Sequence, residues 1–103
     1  MIGIELEPQV TGDTVRVAVR GEIDASTVSQ VRELLEDLVG NGAKHLVLDC
    51  SELAFLDSSG IGLLVATRKQ LGADGDIVID SPPSHIRKVL ELTGVTSELV
   101  LRP

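Results

Sequence analysis

A chain of 103 residues has room for one domain with one core. A net charge of −7 sets it against nucleic-acid phosphates, and a single Phe with no Trp or Tyr leaves no platform for stacking bases. The 43% hydrophobic content is almost all aliphatic, enough for a core without staples, and the acidic surface suits basic protein partners. The lone Cys50 has no partner for an internal disulfide and, following an apolar strand, is expected to be a buried, inert thiol in a reducing compartment. Met1-Ile2-Gly3-Ile4-Glu5 lacks the basic region and apolar run of a signal peptide, and no apolar run approaches the ~20 residues of a membrane span. The expectation is a soluble, cytoplasmic protein that contacts neither membrane nor nucleic acid directly.

Ile4, Leu6 and Val10 alternate with Glu5, Glu7 and Gln9, which predicts a half-buried strand, and Pro8 assigns it to a sheet edge. Thr11-Gly12-Asp13-Thr14 turns the chain, and Val15, Val17 and Val19 then alternate with Arg16, Ala18 and Arg20. The two runs predict a hairpin with valines inward and with Glu5 and Glu7 facing Arg16 and Arg20 outside. Gly21-Glu22-Ile23-Asp24 is read as leaving that strand. Val28, Val31, Leu34, Leu35, Leu38 and Val39 fall at helical spacing, with Asp24, Ser26 and Thr27 as candidate caps, Thr27 and Gln30 at capping-box spacing, and Gly40-Asn41-Gly42 as the stop.

Leu46-Val47-Leu48 predicts a central strand buried on both faces, ending at Asp49-Cys50. Ser51-Glu52-Leu53-Ala54-Phe55-Leu56 is read as a packed connection. Asp57-Ser58-Ser59-Gly60-Ile61-Gly62 then opens a helix with Ile61, Leu64, Val65 and Leu71 inward and Arg68 and Lys69 near its negative end. Ile77-Val78-Ile79 predicts another central strand, and Ser81-Pro82-Pro83 a helix start with Ser81 as cap. Ile86, Val89 and Leu90 form that helix's inner stripe, Gly94 ends it, and Leu99-Val100-Leu101 is a last strand or a packed tail. Strands joined through helices run parallel, so the fold class is α/β, a mixed sheet with an antiparallel N-terminal hairpin followed by parallel strands through helical crossovers.

The corner at Asp57-Ser58-Ser59 is where chemistry concentrates. A hydrolase elbow needs Gly-x-Ser-x-Gly with a histidine partner. Here the first glycine is Leu56, and His45 and His85 have no reason to converge on Ser58. One Cys and two distant His give no metal spacing. Gly60-x-Gly62 without a following lysine is no phosphate loop, and Asp49 lacks the acidic pair and late lysine of a phosphoacceptor domain. From the residues alone two readings remain. Either Ser58 only caps a helix while the glycines allow packing, or a serine there receives a phosphate facing a partner. The residues do not decide between them.

Gly21-Glu22-Ile23-Asp24 before a helix, the Leu46-Val47-Leu48-Asp49 strand, and above all Phe55-Leu56-Asp57-Ser58-Ser59-Gly60-Ile61-Gly62 resemble the STAS domain, and more narrowly the bacterial anti-sigma factor antagonists. The resemblance spans essentially the whole chain, so residues 1–103 are expected to form one STAS domain. It implies partner switching. The unphosphorylated antagonist binds an anti-sigma factor that is a GHKL-fold serine kinase, and a sigma factor is released. The kinase phosphorylates Ser58, the serine directly after Asp57, and binding ends until a PP2C-type phosphatase restores it. The resemblance also implies partner contact at Asp24 beside the corner, with Asp57, Ser58, Ser59, Gly60 and Ile61. ATP and magnesium belong to the kinase, so the chain is expected to be no enzyme and to need no catalytic residue, metal or cofactor. Its oligomeric state stays open, with a monomer as the default. The alternative is a structural STAS subunit of a bacterial ABC lipid-transport complex, which needs no switch.

Overall fold

Alternating side chains and one tight turn start the fold. In the computed structural model, which describes residues 3–103, β1 (Ile4–Thr11) and β2 (Thr14–Ile23) form an antiparallel hairpin, from Ile4 opposite Gly21 to Thr11 opposite Thr14. Gly12 takes the two-residue turn at φ +64°, a conformation glycine adopts without steric cost. β1 is the edge strand that Pro8 requires. Val15, Val17 and Val19 are each 2% exposed or less.

The chain continues through α1 (Val28–Gly40), β3 (His45–Leu56), α2 (Ser58–Leu71), β4 (Asp76–Asp80), α3 (Ser84–Leu92), a 3-10 turn at Val95–Ser97 and β5 (Val100–Arg102). The sheet order is β1-β2-β3-β4-β5, parallel from β2 onward. Every parallel link steps one strand in the same direction. Right-handed crossovers therefore lay all three helices on one face. Leu35, Leu64, Ile86 and Leu90 from the helices close over Val17, Leu46, Leu48, Ile77 and Ile79.

This arrangement corrects the expectation of strands buried on both faces. Leu46 and Leu48 are buried while Val47 between them is half-buried, and Val78 sits likewise between Ile77 and Ile79. The helix-free face carries charge instead. Arg20 donates to Glu7 on β1 and Glu52 on β3, both at 2.7 Å. Arg16 lies 2.9 Å from Asp80 and 3.4 Å from Asp49. The expected pairing of Glu5 and Glu7 with Arg16 and Arg20 is thus realised only between Glu7 and Arg20, because Arg16 turns toward the acidic residues of β3 and β4. Such exposed pairs are screened by solvent and contribute little to stability.

Other sequence readings also change. Residues 51–56 are the second half of β3, not a connection, and run beside β2 after the last β4 partner, Asp49, has been passed. Register shifts between Ala18 and Arg20 and between Gly21 and Glu22 keep Leu53 and Leu56 on the core side and leave Phe55 outside, 45% exposed. β2 itself holds to Ile23, so only Asp24 leaves it. Ser81 caps nothing. It adopts φ +56°, donates its N–H to the Arg102 carbonyl at 3.0 Å, and α3 begins at Ser84 after Pro83. The last segment is a strand, β5, parallel to β4.

Cys50 is buried, and burial, with the charges of Asp49 and Asp80 added, pushes its thiol pKa up to about 12. The folded protein should leave a thiol reagent unconsumed at about pH 8 and react fully once unfolded in urea. Rapid labelling of the folded protein would show that Cys50 is reachable. Among the described residues no helix is long and apolar enough to cross a membrane.

Candidate functional site

Adjacent parallel strands bring their carboxyl ends together. Ile23 at the end of β2 lies opposite Leu56 at the end of β3, and the Asp57 N–H donates to the Ile23 carbonyl at 3.2 Å. The next residue on each strand, Asp24 and Asp57, therefore leaves the sheet beside the other. Each carboxylate organises the turn into a helix. Asp24 Oδ1 accepts from the Ser26 N–H at 2.9 Å, the Ser26 hydroxyl at 2.7 Å and the Thr27 N–H at 3.1 Å. Thr27, the expected capping-box residue, makes no cap. It is buried, donates to the Glu22 carbonyl at 2.8 Å and accepts from the Asp24 N–H at 3.0 Å.

The second corner also differs from the reading that made Ser58 the cap. Asp57 is the cap of α2, and Ser58 is its first helical residue. One oxygen, Asp57 Oδ1, accepts from the Ser59 N–H at 3.0 Å, the Gly60 N–H at 3.3 Å and the Ser59 hydroxyl at 2.5 Å. The two hydroxyls are consequently unlike. Ser59 is half-buried and tied to Asp57. Ser58 is exposed, and its hydroxyl has no partner among the described residues.

The glycines divide as well. A Cβ on Gly60 would stand 2.6 Å from both Ile23 Cγ2 and Leu56 Cδ1, so glycine lets the first turn of α2 settle on the ends of β2 and β3 without displacing either side chain. A Cβ on Gly62 would meet nothing within 4 Å. Ile61 is 6% exposed and points into the core. Asp24, Asp57, Ser58 and Ser59 thus lie at the surface, with Gly60 and Ile61 beneath them. The histidines stay apart from Ser58: His85 Nε2 bonds the Ala54 carbonyl at 2.8 Å, and His45 pairs with Asp76 at 2.8 Å at the start of β3. Sequence reasoning missed the difference between the two hydroxyls. The available signal was a carboxylate two and three residues before the Ser59 and Gly60 amides, the spacing of an N-cap.

Both carboxylates titrate below the ordinary range. The Ser26 hydroxyl is the main cause for Asp24 and the Ser59 hydroxyl for Asp57, where burial and the nearby charge of Asp24 work in the opposite direction. A folded pKa below the unfolded value, about 3.9 for Asp, means that the unfolded chain binds more protons as the pH falls. This contribution to stability is complete above about pH 4 and is lost as the pH drops through the folded pKa. Asp49, lowered chiefly by the Ser51 hydroxyl, acts in the same window. Asp57→Asn keeps a capping oxygen without the charge, so its urea midpoint should fall less than that of the native chain between about pH 5 and pH 3. Equal falls would show that ionised Asp57 stabilises nothing.

Comparison with known proteins agrees with this fold. The family model described as "Mlab, STAS domain" matches residues 6–102. The anti-sigma-B factor antagonist of Listeria monocytogenes is 29% identical over 102 residues, covering 98% of this chain and 89% of that protein. An anti-sigma factor antagonist from Mycobacterium paratuberculosis superposes with a TM-score of 0.89 at 28% identity, covering 98% of this chain and 86% of that one. The anti-sigma factor antagonist SpoIIAA of Bacillus is 30% identical over 96% of this chain. Its TM-score is 0.81 in the unphosphorylated form, where 87% of it is covered, and 0.72 in the phosphorylated form, where 90% is. The chain belongs to the STAS domain family, in the company of the bacterial anti-sigma factor antagonists.

Proposed function

We propose that the protein is a cytoplasmic anti-sigma factor antagonist that works as a binding partner and a kinase substrate. The carrying observation is the exposed Ser58 hydroxyl, without a partner among the described residues, on the first residue of α2 beside the carboxylates of Asp24 and Asp57. The unmodified corner docks on an anti-sigma factor serine kinase of the GHKL fold and frees a sigma factor. Asp24, Asp57, Ser58 and Ser59 form the contact, with Gly60 and Ile61 supporting it from beneath. In the switching step Ser58 Oγ attacks the γ-phosphorus of the kinase's ATP. The new O–P bond forms as the β–γ bridging bond breaks, ADP leaves, and the hydroxyl proton passes to a base on the kinase. A PP2C-type phosphatase reverses the state with water.

Physical chemistry supports the direction of the switch. A phosphoserine carries about −1.5 to −2 charge. At a bare helix start the backbone amides would absorb part of it. Here the Ser59 and Gly60 amides already bond Asp57, so the added charge stands against Asp57 and Asp24 and projects toward the partner. A pull-down tests the reading. Ser58→Ala bait should retain an ATP-binding GHKL kinase from a lysate of the source cells, and bait phosphorylated by that kinase should not. Recovery of an ABC ATPase with membrane subunits would favour the structural-subunit reading.

A further inference from the structure

Two serines one residue apart share the first turn of α2, yet only one is free. We propose that Asp57 is a positioning residue that confines phosphoryl transfer to Ser58 by holding the Ser59 hydroxyl. The inference rests on the switch reading above and adds the source of its single-site character. For Ser59 to react, a lone pair of its Oγ must reach phosphorus while the side chain is held by the 2.5 Å hydrogen bond to Asp57 Oδ1, and the anionic γ-phosphoryl group must approach beside that carboxylate. The side chain would first have to rotate away and give up a charge-assisted hydrogen bond. The product would set a phosphate against the same carboxylate. Ser59 is also half-buried, so a kinase would reach it less readily than exposed Ser58.

The opposite role, Asp57 as a base that activates Ser59, is disfavoured by the geometry. Its Oδ1 is shared with two backbone amides, and those bonds with the hydroxyl hold the carboxyl below its ordinary range, which makes it a poor proton acceptor. Transfer to Ser58 needs none of this: its Oγ meets ATP, takes the γ-phosphoryl group, and loses its proton to the kinase.

The test compares the full chain with Asp57→Gly and Asp57→Asn, each treated with the partner kinase and ATP and mapped by fragmentation mass spectrometry. Glycine is a tolerated N-cap, so Asp57→Gly removes the acceptor while the helix start survives. The native chain should carry phosphate on Ser58. In Asp57→Gly the ratio of Ser59 to Ser58 phosphate should rise by about tenfold, the factor that loss of a charged hydrogen bond implies. Asp57→Asn, which keeps a neutral acceptor but loses the charge, should give a ratio between those of the native chain and Asp57→Gly. Phosphate on Ser59 in the native chain, or an unchanged ratio in Asp57→Gly, would overturn the proposal. Hydroxyl-proton exchange read by NMR needs no kinase. Ser59 should exchange slowly in the native chain and quickly in Asp57→Gly, and fast exchange in both would overturn the shielding. Phosphate on neither serine would instead overturn the switch reading, with the exchange measurement still deciding whether Ser59 is shielded.

Discussion

Ser58→Asp should weaken binding to the anti-sigma partner by about 10- to 100-fold, while Ser58→Ala should leave it within about threefold. The side chain stands exposed without a hydrogen bond among the described residues, so alanine removes no contact seen there. Aspartate adds a third carboxylate beside Asp24 and Asp57, and the Ser59 and Gly60 amides are already committed to Asp57. The new charge must then be desolvated against the partner without compensation, which costs about 1.4 to 3 kcal/mol, the stated range of affinity. Titration calorimetry with the purified partner gives the comparison. An Asp variant as tight as the native chain would mean that Ser58 lies outside the contact.

Gly60→Ala should cost about 2 kcal/mol of stability, and Gly62→Ala, two residues along the same helix, should add about 0.5–1 kcal/mol. The opposite signs follow from what each new methyl meets. At Gly60 it would press within 2.6 Å of Ile23 and Leu56, both buried side chains at the ends of the two strands that carry the site. Relief requires that α2 lift or that both side chains leave their rotamers. At Gly62 the methyl enters open space, and alanine restores the helix propensity that glycine lacks. Urea titrations of the two variants measure both effects. A neutral Gly60→Ala would mean that the seat of α2 yields more easily than the packing implies.

Much of this architecture was legible because local pattern and long-range pairing agree. The alternating valines of β2 and the helical stripe of Val28, Val31 and Leu35 bury where their periods predict. The corner at Asp57 was visible as a junction because the apolar Leu56 precedes it and two glycines follow. Features set by tertiary context were not legible. Val47 and Val78 are as apolar as residues buried on both faces, and only the one-directional strand order exposes their side of the sheet. Ser51 and Glu52 interrupt the apolar run, so the long β3 emerges only through its bulged pairing with β2. The cap fell one residue early, because Asp and Ser are equally good N-caps and adjacent here. That shift matters most for function, since it frees Ser58 and ties Ser59.

The central claim is that the free hydroxyl at the start of α2 switches partner binding. The direct measurement takes the full chain phosphorylated by its kinase, maps the phosphate, and titrates the modified and unmodified forms against the anti-sigma factor. Phosphate on Ser58 with affinity lowered by about 100-fold or more is the predicted result. Phosphate on another residue, or equal affinity of the two forms, would contradict it.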